Sequence, residues 1–315
     1  MPKVSINLCC CNSEQFLEET LASVFAQTYT DYELVIVNDG SRDGTDAIVR
    51  RHLAQGRPLV YRAQKNEGLG AARNKALELS SGGLIAILDH DDVWEPRKLE
   101  KQIPLFERPE VGFTGSDALL MDAAGRPLSL CSQRNPLRRG HVLRELFLYN
   151  FVPCAAAVLR KSAIAKAGGF FRPDFRIAEE YELFLRLAEV SEFDFVPEPL
   201  VRIRVHPSSA GWDFNRERAE LGQAFAECLK RNPGLSRELG PKVLAVKQAG
   251  LWLRPEAADA LRGLGAPLKV RAQAAALYGL ARLGPGAVDF LRRWKRAFQR
   301  RALCALLAGL LIAAH

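Results

Sequence analysis

Over its first hundred residues the chain alternates short apolar runs with amphipathic stretches. Val4 to Cys9, Glu33 to Asp39, Leu59 to Arg62 and Leu84 to Asp89 read as strands. Continuous apolar runs of this length suit strands buried on both faces. Between the first two, Asn12 with Gln15 predicts a capping box ahead of a helix through Ala26. Asp43 is predicted to cap the next helix, through about Ala54. Strands separated by helices imply right-handed crossovers and a mostly parallel sheet. Asp39 and Asp89 then close their strands on one rim, where open α/β sheets bind ligands.

The fourth run ends in Asp89-His90-Asp91-Asp92. Three acids this close repel one another unless a cation balances them. In extended backbone Asp89 and Asp91 project to one side, so both are expected to face a hard divalent ion, Mg²⁺ or Mn²⁺. Such ions keep open positions for substrate phosphates. That points to chemistry on a nucleotide or sugar phosphate. A solvated turn leading into a helix near Pro96 is the plainer alternative. His90, between the two acids, is expected to point away from them.

Beyond Gly211 the strand pattern stops and Ala, Leu, Arg and Glu dominate. Arg216 to Arg231 and Pro241 to Leu253 read as helices, with shorter ones at Ala257 to Leu261 and Lys269 to Leu283. From Phe290 onward, Leu291, Trp294 and Phe298 form one stripe, and Arg292, Arg296 and Arg300 recur on another face. Ala302 to Ala314 is then wholly apolar. As a helix it reaches about 20 Å, short of a hydrocarbon core of about 30 Å. It reads as a basic interfacial helix on an anionic membrane surface, with protein docking or an oligomer contact as the alternative. The expected organisation is a catalytic domain over 1–210, a helical subdomain over 211–289 and this terminal helix over 290–315.

Composition narrows the setting. Of 315 residues, 48% are hydrophobic, ample for a core. The formal charge is +8, but no motif for nucleic acid accompanies it. Seven unpatterned cysteines and the absence of a visible signal peptide suggest a reducing, cytoplasmic setting, peripheral on the inner membrane face. Cys9-Cys10-Cys11 lacks the spacing of a zinc site and reads as a buried strand end.

Several stretches, taken in order, resemble family 2 glycosyltransferases. They are Val37-Asn38-Asp39-Gly40-Ser41, Asn66-Glu67-Gly68-Leu69-Gly70-Ala71-Ala72-Arg73-Asn74, Leu88-Asp89-His90-Asp91-Asp92, Glu179-Glu180-Tyr181-Glu182-Leu183 and Arg204-Val205-His206-Pro207. The resemblance covers roughly residues 2–210. It implies a GT-A fold, the Rossmann-like architecture of nucleotide-diphospho-sugar transferases, with a variable C-terminal helical region. It also implies an inverting reaction in surface-polysaccharide synthesis. A sugar would pass from a UDP- or dTDP-linked donor to a glycan or lipid-linked acceptor.

By the same resemblance, Cys9, Cys11, Asp39, Asn66, Gly68, Arg73, Asp89 and His90 form the nucleotide site. Asp39 would pair with a ring N–H of the base, its alternative being a turn contact near Ser41. Gly68 admits close backbone approach, and Arg73 offers a permanent charge for the diphosphate. Asp91, Asp89 and His206 would hold the metal; imidazole favours Mn²⁺ over Mg²⁺. Glu180 takes the position of the catalytic base, with Glu179 and Glu182 as competitors. Two departures stand out. The family often has an aromatic residue where this chain has Cys11, and an aspartate where it has Glu180. A nucleotidyltransferase and a non-catalytic glycan- or nucleotide-binding module are the competing classes; the first lacks its glycine-rich phosphate loop here.

Overall fold

A computed structural model describes residues 3–133, 135–206 and 214–251. In chain order the elements are β1 (Val4–Cys10), α1 (Leu17–Phe25), β2 (Tyr32–Asp39), α2 (Thr45–Ala54), β3 (Leu59–Gln64), α3 (Leu69–Leu79) and β4 (Leu84–Asp89). There follow β5 (Val93–Trp94), α4 (Lys98–Gln102), β6 (Val111–Asp122), β7 (Pro127–Leu130), α5 (Leu143–Leu148), β8 (Val158–Arg160) and α6 (Lys161–Lys166). The described chain closes with α7 (Glu179–Val190), β9 (Glu192–Val205), α8 (Phe214–Arg231) and α9 (Pro233–Leu251).

One sheet runs in the order β3-β2-β1-β4-β8-β6-β9-β5, with β7 paired to β6. Strands β3, β2, β1 and β4 are mutually parallel, as the alternating pattern predicts. Past β4 the sheet is mixed: β8 is antiparallel to β4 and β6, and β9 is parallel to β6 but antiparallel to β5. This is an α/β fold whose first half is the doubly wound unit. Because β1 lies between β2 and β4, the chain changes direction across the sheet at β1. Ligand crevices form at such a switch point, at the carboxyl ends of the strands. In register, Cys9 pairs with Asp89 on one side and Val37 on the other.

The core explains the local choices. Every residue of β1 is buried, as are Leu84 to Leu88 in β4. Leu17, Leu21 and Val24 recur along one face of α1 and pack on the sheet, fully enclosed. Each such side chain contributes about 1.5–3 kcal/mol by its removal from water. Ala72 and Ala76 are small enough to let α3 lie close over Val35 and Val37.

Two helix starts differ in kind. Asp43 Oδ1 accepts the Thr45 N–H at 3.1 Å, so α2 is capped as predicted. The Asn12–Gln15 capping box does not form. Asn12 has φ of 52° and faces the next loop, its Oδ1 accepting the Arg42 N–H at 2.9 Å. The Asn12 N–H goes to Ser41 Oγ, and α1 begins only at Leu17, after a turn closed by the Ser13 carbonyl. Asn12 thus ties the loop after β1 to the loop after β2.

The chain divides into two compact units, Met1–Cys228 and Leu229–His315. The first runs past the expected boundary at 210 and takes in most of α8, because Phe225 packs on Phe147 and Tyr181 and Glu220 bonds to the segment before α7. In the second, Gly240 has φ of 70° and breaks α9 just before Pro241, where a helix start is predicted. The expected helices beyond Leu251, including 290–315, lie outside the described residues. Among those described, no helix is long and apolar enough to cross a membrane.

Candidate active site

The carboxyl ends of β1, β2 and β4 form the floor of a cleft of about 610 Å³. The start of α3 and the segment entering α7 complete its walls. Each predicted residue can be located in it, His206 excepted as lining.

On the nucleotide side, Asp39 is buried and already engaged. Its Oδ1 accepts from Gln64 Nε2 and the Glu67 N–H, and its Oδ2 from the Gly68 N–H, all at 2.9 Å. The carboxylate therefore shapes the loop 66–68, and it keeps acceptor capacity for one further donor. The turn contact near Ser41 is made by Asn38 instead, whose Oδ1 takes the Ser41 N–H at 3.0 Å. Asn66 Nδ2 donates to the Asp39 carbonyl and lies 3.3 Å from Cys11 Sγ. Gly68 has φ of 94°, a conformation that glycine adopts without steric cost. Gly40, at φ of 75°, has no room for a side chain: a Cβ there would come within 2.7 Å of the Asn66 nitrogen. Cys9 and Cys11 line the cleft, and burial pushes the Cys9 thiol up to about 12, which makes it a small apolar wall rather than a nucleophile.

Arg73 lines the cleft, as expected, but its charge is already engaged by acids. It is 4% exposed and lies at the bottom of the cleft. Its guanidinium donates to Asp89 Oδ1 at 2.8 Å, Glu179 Oε1 at 3.0 Å and Glu180 Oε2 at 3.2 Å. The Cys154 thiol lies 3.6 Å away, and the Phe171 ring stacks beneath. The fork thus joins the two acidic motifs that the sequence holds far apart.

The Asp89–Asp92 turn is divided among different partners. Asp89 turns to Arg73. Asp91 Oδ2 meets His206 Nε2 at 2.8 Å. Asp92 is buried, with Oδ1 on the Arg204 N–H at 2.9 Å; burial, then the charges of Asp89 and Asp91, raise its carboxyl well above the usual range. Arg204 itself donates through Nε to the Asp91 carbonyl and pairs with Glu19, pinning this turn to the end of β9. His90 lines the cleft; its carbonyl accepts from Thr20 Oγ1, and its Nδ1 is buried without a partner among the described residues. No group of three or more His, Cys, Asp or Glu side chains among the described residues is arranged to hold a metal. Asp91 with His206 is a carboxylate–imidazole pair of two donors. That suits an ion completed by phosphate oxygens and water.

The acids of α7 are separated just as clearly. Glu182 faces away from the cleft and forms a bidentate pair with Arg186, at 2.7–2.9 Å. Arg186 also donates to the carbonyls of Ala167, Gly169 and Phe170, so this pair fixes the loop before α7. Glu179 is 1% exposed, with Oε2 lacking a partner among the described residues, and burial raises its carboxyl. Glu180 is 28% exposed and faces the cleft, yet its carboxyl sits low among protein atoms. Burial, reinforced by Glu179 and opposed by Arg73, pushes it up to about 7.

Two residues escaped the sequence reading. Glu220 on α8 accepts the backbone N–H groups of Arg176, Ile177 and Ala178 on one oxygen, at 2.8–3.0 Å, and so fixes the segment that enters α7. Arg176 lines the cleft opposite Gly68. Only proximity in space reveals either one.

This architecture has recognisable relatives. The profile of glycosyl transferase family 2 matches residues 5–167, and the chain belongs to that family. An uncharacterized glycosyltransferase of Rickettsia typhi is 29% identical over 210 residues, 65% of this chain and 64% of that one. The matched region thus spans a little under two thirds of that relative. A Bacillus subtilis chain provisionally named as a teichuronic acid biosynthesis glycosyltransferase, TuaG, is 37% identical over 129 residues, 40% of this chain and 51% of its own. Among solved structures, S. aureus TarS 1-349 in complex with UDP-GlcNAc superposes with a TM-score of 0.59 at 16% identity, covering 88% of each chain. The mannosyltransferase PcManGT from Pyrobaculum calidifontis, in complex with GDP-Man and Mn²⁺, does so with 0.60 at 21%, covering 92% of this chain and 83% of that one. At such identities the likeness establishes the GT-A fold.

Proposed function

We propose that this protein transfers a sugar from a nucleoside-diphosphate donor to a hydroxyl of a glycan or lipid-linked acceptor, in cell-surface polysaccharide synthesis, with inversion. The observation that carries this reading is the placement of Glu180: at the head of α7, in the same cleft as Asp39, Asp89 and Asp91, with its carboxyl pushed up to about 7 by burial. A general base works best when its pKa lies near the operating pH. The nucleoside would lie along β1 and β2, with its base toward Asp39 and Cys11. Cys11 offers a soft wall where a stacking ring would be, so base discrimination falls to Asp39 and its neighbours.

Glu180 takes the proton of the acceptor hydroxyl as that oxygen attacks the anomeric carbon. The bond from that carbon to the diphosphate oxygen breaks on the opposite face, and one displacement inverts the configuration. Arg73 holds the Glu180 carboxylate in position and favours its charged form against burial. Asp91 and His206 would hold Mn²⁺ or Mg²⁺, which supplies charge neutralisation to the departing diphosphate. Family membership, the TuaG likeness and the nucleotide-sugar complexes of TarS and PcManGT support the reading. The basic, apolar segment 290–315 supports attachment at an anionic membrane surface, where lipid-linked acceptors reside.

Release of UDP, dTDP or GDP from a panel of sugar nucleotides, with and without Mn²⁺, tests the reaction. Turnover of one donor in the presence of an acceptor extract is expected. Binding of nucleotide without turnover of any donor would favour a non-catalytic module.

A further inference from the structure

The cleft has two arginines in opposite situations. Arg73 is buried under Asp89, Glu179 and Glu180, so its charge is already matched. Arg176 is exposed and lines the same cleft, and its side chain makes no ion pair or hydrogen bond with any described residue. A Cβ built on Gly68 would lie 3.0 Å from Arg176 Nη1, so the guanidinium overlies the glycine that opens α3. Its backbone is anchored: the N–H groups of Arg176, Ile177 and Ala178 all rest on Glu220, which Arg216 Nε holds at 2.8 Å. The result is a fixed base carrying an uncommitted cation over a backbone that admits close approach.

A diphosphate entering this cleft meets a wall rich in carboxylates. Arg73 and Arg204 cannot offset its charge, because acids already hold both. We propose that Arg176 is the residue that binds the diphosphate of the donor, on the side of its guanidinium that faces the cleft beside Gly68. This rests on the reading of the cleft as a nucleotide-sugar site, and it transfers to Arg176 the role that the sequence assigns to Arg73. The planar fork of arginine matches paired phosphate oxygens, which a lysine does not reproduce.

Calorimetry with UDP, dTDP and GDP, on the full chain and on Arg176→Gln and Arg176→Lys, tests the proposal. Loss of a charge-assisted contact should weaken diphosphate binding about 10- to 100-fold in Arg176→Gln. Arg176→Lys should fall between, and UMP, lacking the second phosphate, should lose less. Melting without nucleotide should be unchanged, since the side chain has no described partner. Undiminished UDP, dTDP and GDP affinity in Arg176→Gln would overturn the assignment and leave the proposed reaction standing, as would an effect confined to the KM of the acceptor. Failure of the unaltered protein to bind any of the three would overturn both.

Discussion

Two acidic clusters meet at Arg73, one at the end of a strand and one at the start of a helix. Asp89, Asp91 and Asp92 follow β4; Glu179, Glu180 and Glu182 open α7. In each, one acid is locked into the scaffold: Asp92 by the Arg204 N–H, Glu182 by Arg186. Asp89 bonds to the buried guanidinium in the first, and Glu179 and Glu180 do so in the second, Glu179 being the one fully enclosed. The third then differs. Asp91 meets an imidazole, whereas Glu180 is left at the cleft wall with its ionisation pushed into the neutral range. Carboxylates of one chemistry thus divide into scaffold, linker and cleft-facing group, and the partners decide the division rather than the acids. Helix placement contributes a general preference for negative charge at α7, but that preference cannot distinguish Glu179 from Glu180.

Glu180 carries the largest expected effect. Glu180→Gln should lower turnover about 10²–10⁴-fold while donor binding persists, as measured by steady-state kinetics beside calorimetry. If Glu179→Gln produced that pattern instead, the two acids would exchange roles. Glu182→Gln should act on stability, not chemistry. It leaves Arg186 buried without its counter-charge, which costs about 3 kcal/mol, the low end for such pairs because three carbonyls remain as acceptors. Denaturant titration would reveal it, and an unchanged midpoint would mean that the pair is dispensable. Asp91→Asn should weaken Mn²⁺-dependent nucleotide binding by about 10-fold or more, the range in which changed metal sites lose affinity. Metal dependence identical to that of the unaltered chain would remove Asp91 from the ion.

The smallest effect is on pH dependence. Because the folded-state pKa of Glu180 is raised to about 7 from an ordinary 4.5, the folded chain binds its proton where the unfolded chain has lost it. Stability from this group is therefore fully present below about 4.5 and is lost as pH rises through about 7. Activity runs the other way, since the base must be ionised, and should climb to a plateau above about pH 7. Melting curves from pH 5 to 8 should show a downward slope that flattens in Glu180→Gln. An equal slope in both proteins would place the raised ionisation on another group.

Periodicity and turn chemistry made the first four strands legible, and buried apolar runs ending in Asp39 and Asp89 located the rim of the site. The Asp43 cap was legible too, because its contact is two residues away. The Asn12 cap was not. Its side chain chose the loop at Ser41 and Arg42, about thirty positions on, which no local pattern encodes. The antiparallel insertion of β8 into the sheet was likewise invisible, since β8 has only three residues and no periodicity to read.

What the sequence determined by itself is the set of chemical groups and their attachment: the acids at the end of β4, the acids opening α7, glycine at position 68. These follow from burial, propensity and backbone freedom, which act over a few residues. What only the tertiary structure decided is which of those groups meet. Arg73 belongs to the acids because α3 and α7 converge on one cleft, 106 residues apart in the chain. Arg176 remains uncommitted because Glu220, from α8, captures its backbone and not its side chain. Electrostatic role depends on the distance between charges, and the fold, not the order of residues, sets that distance.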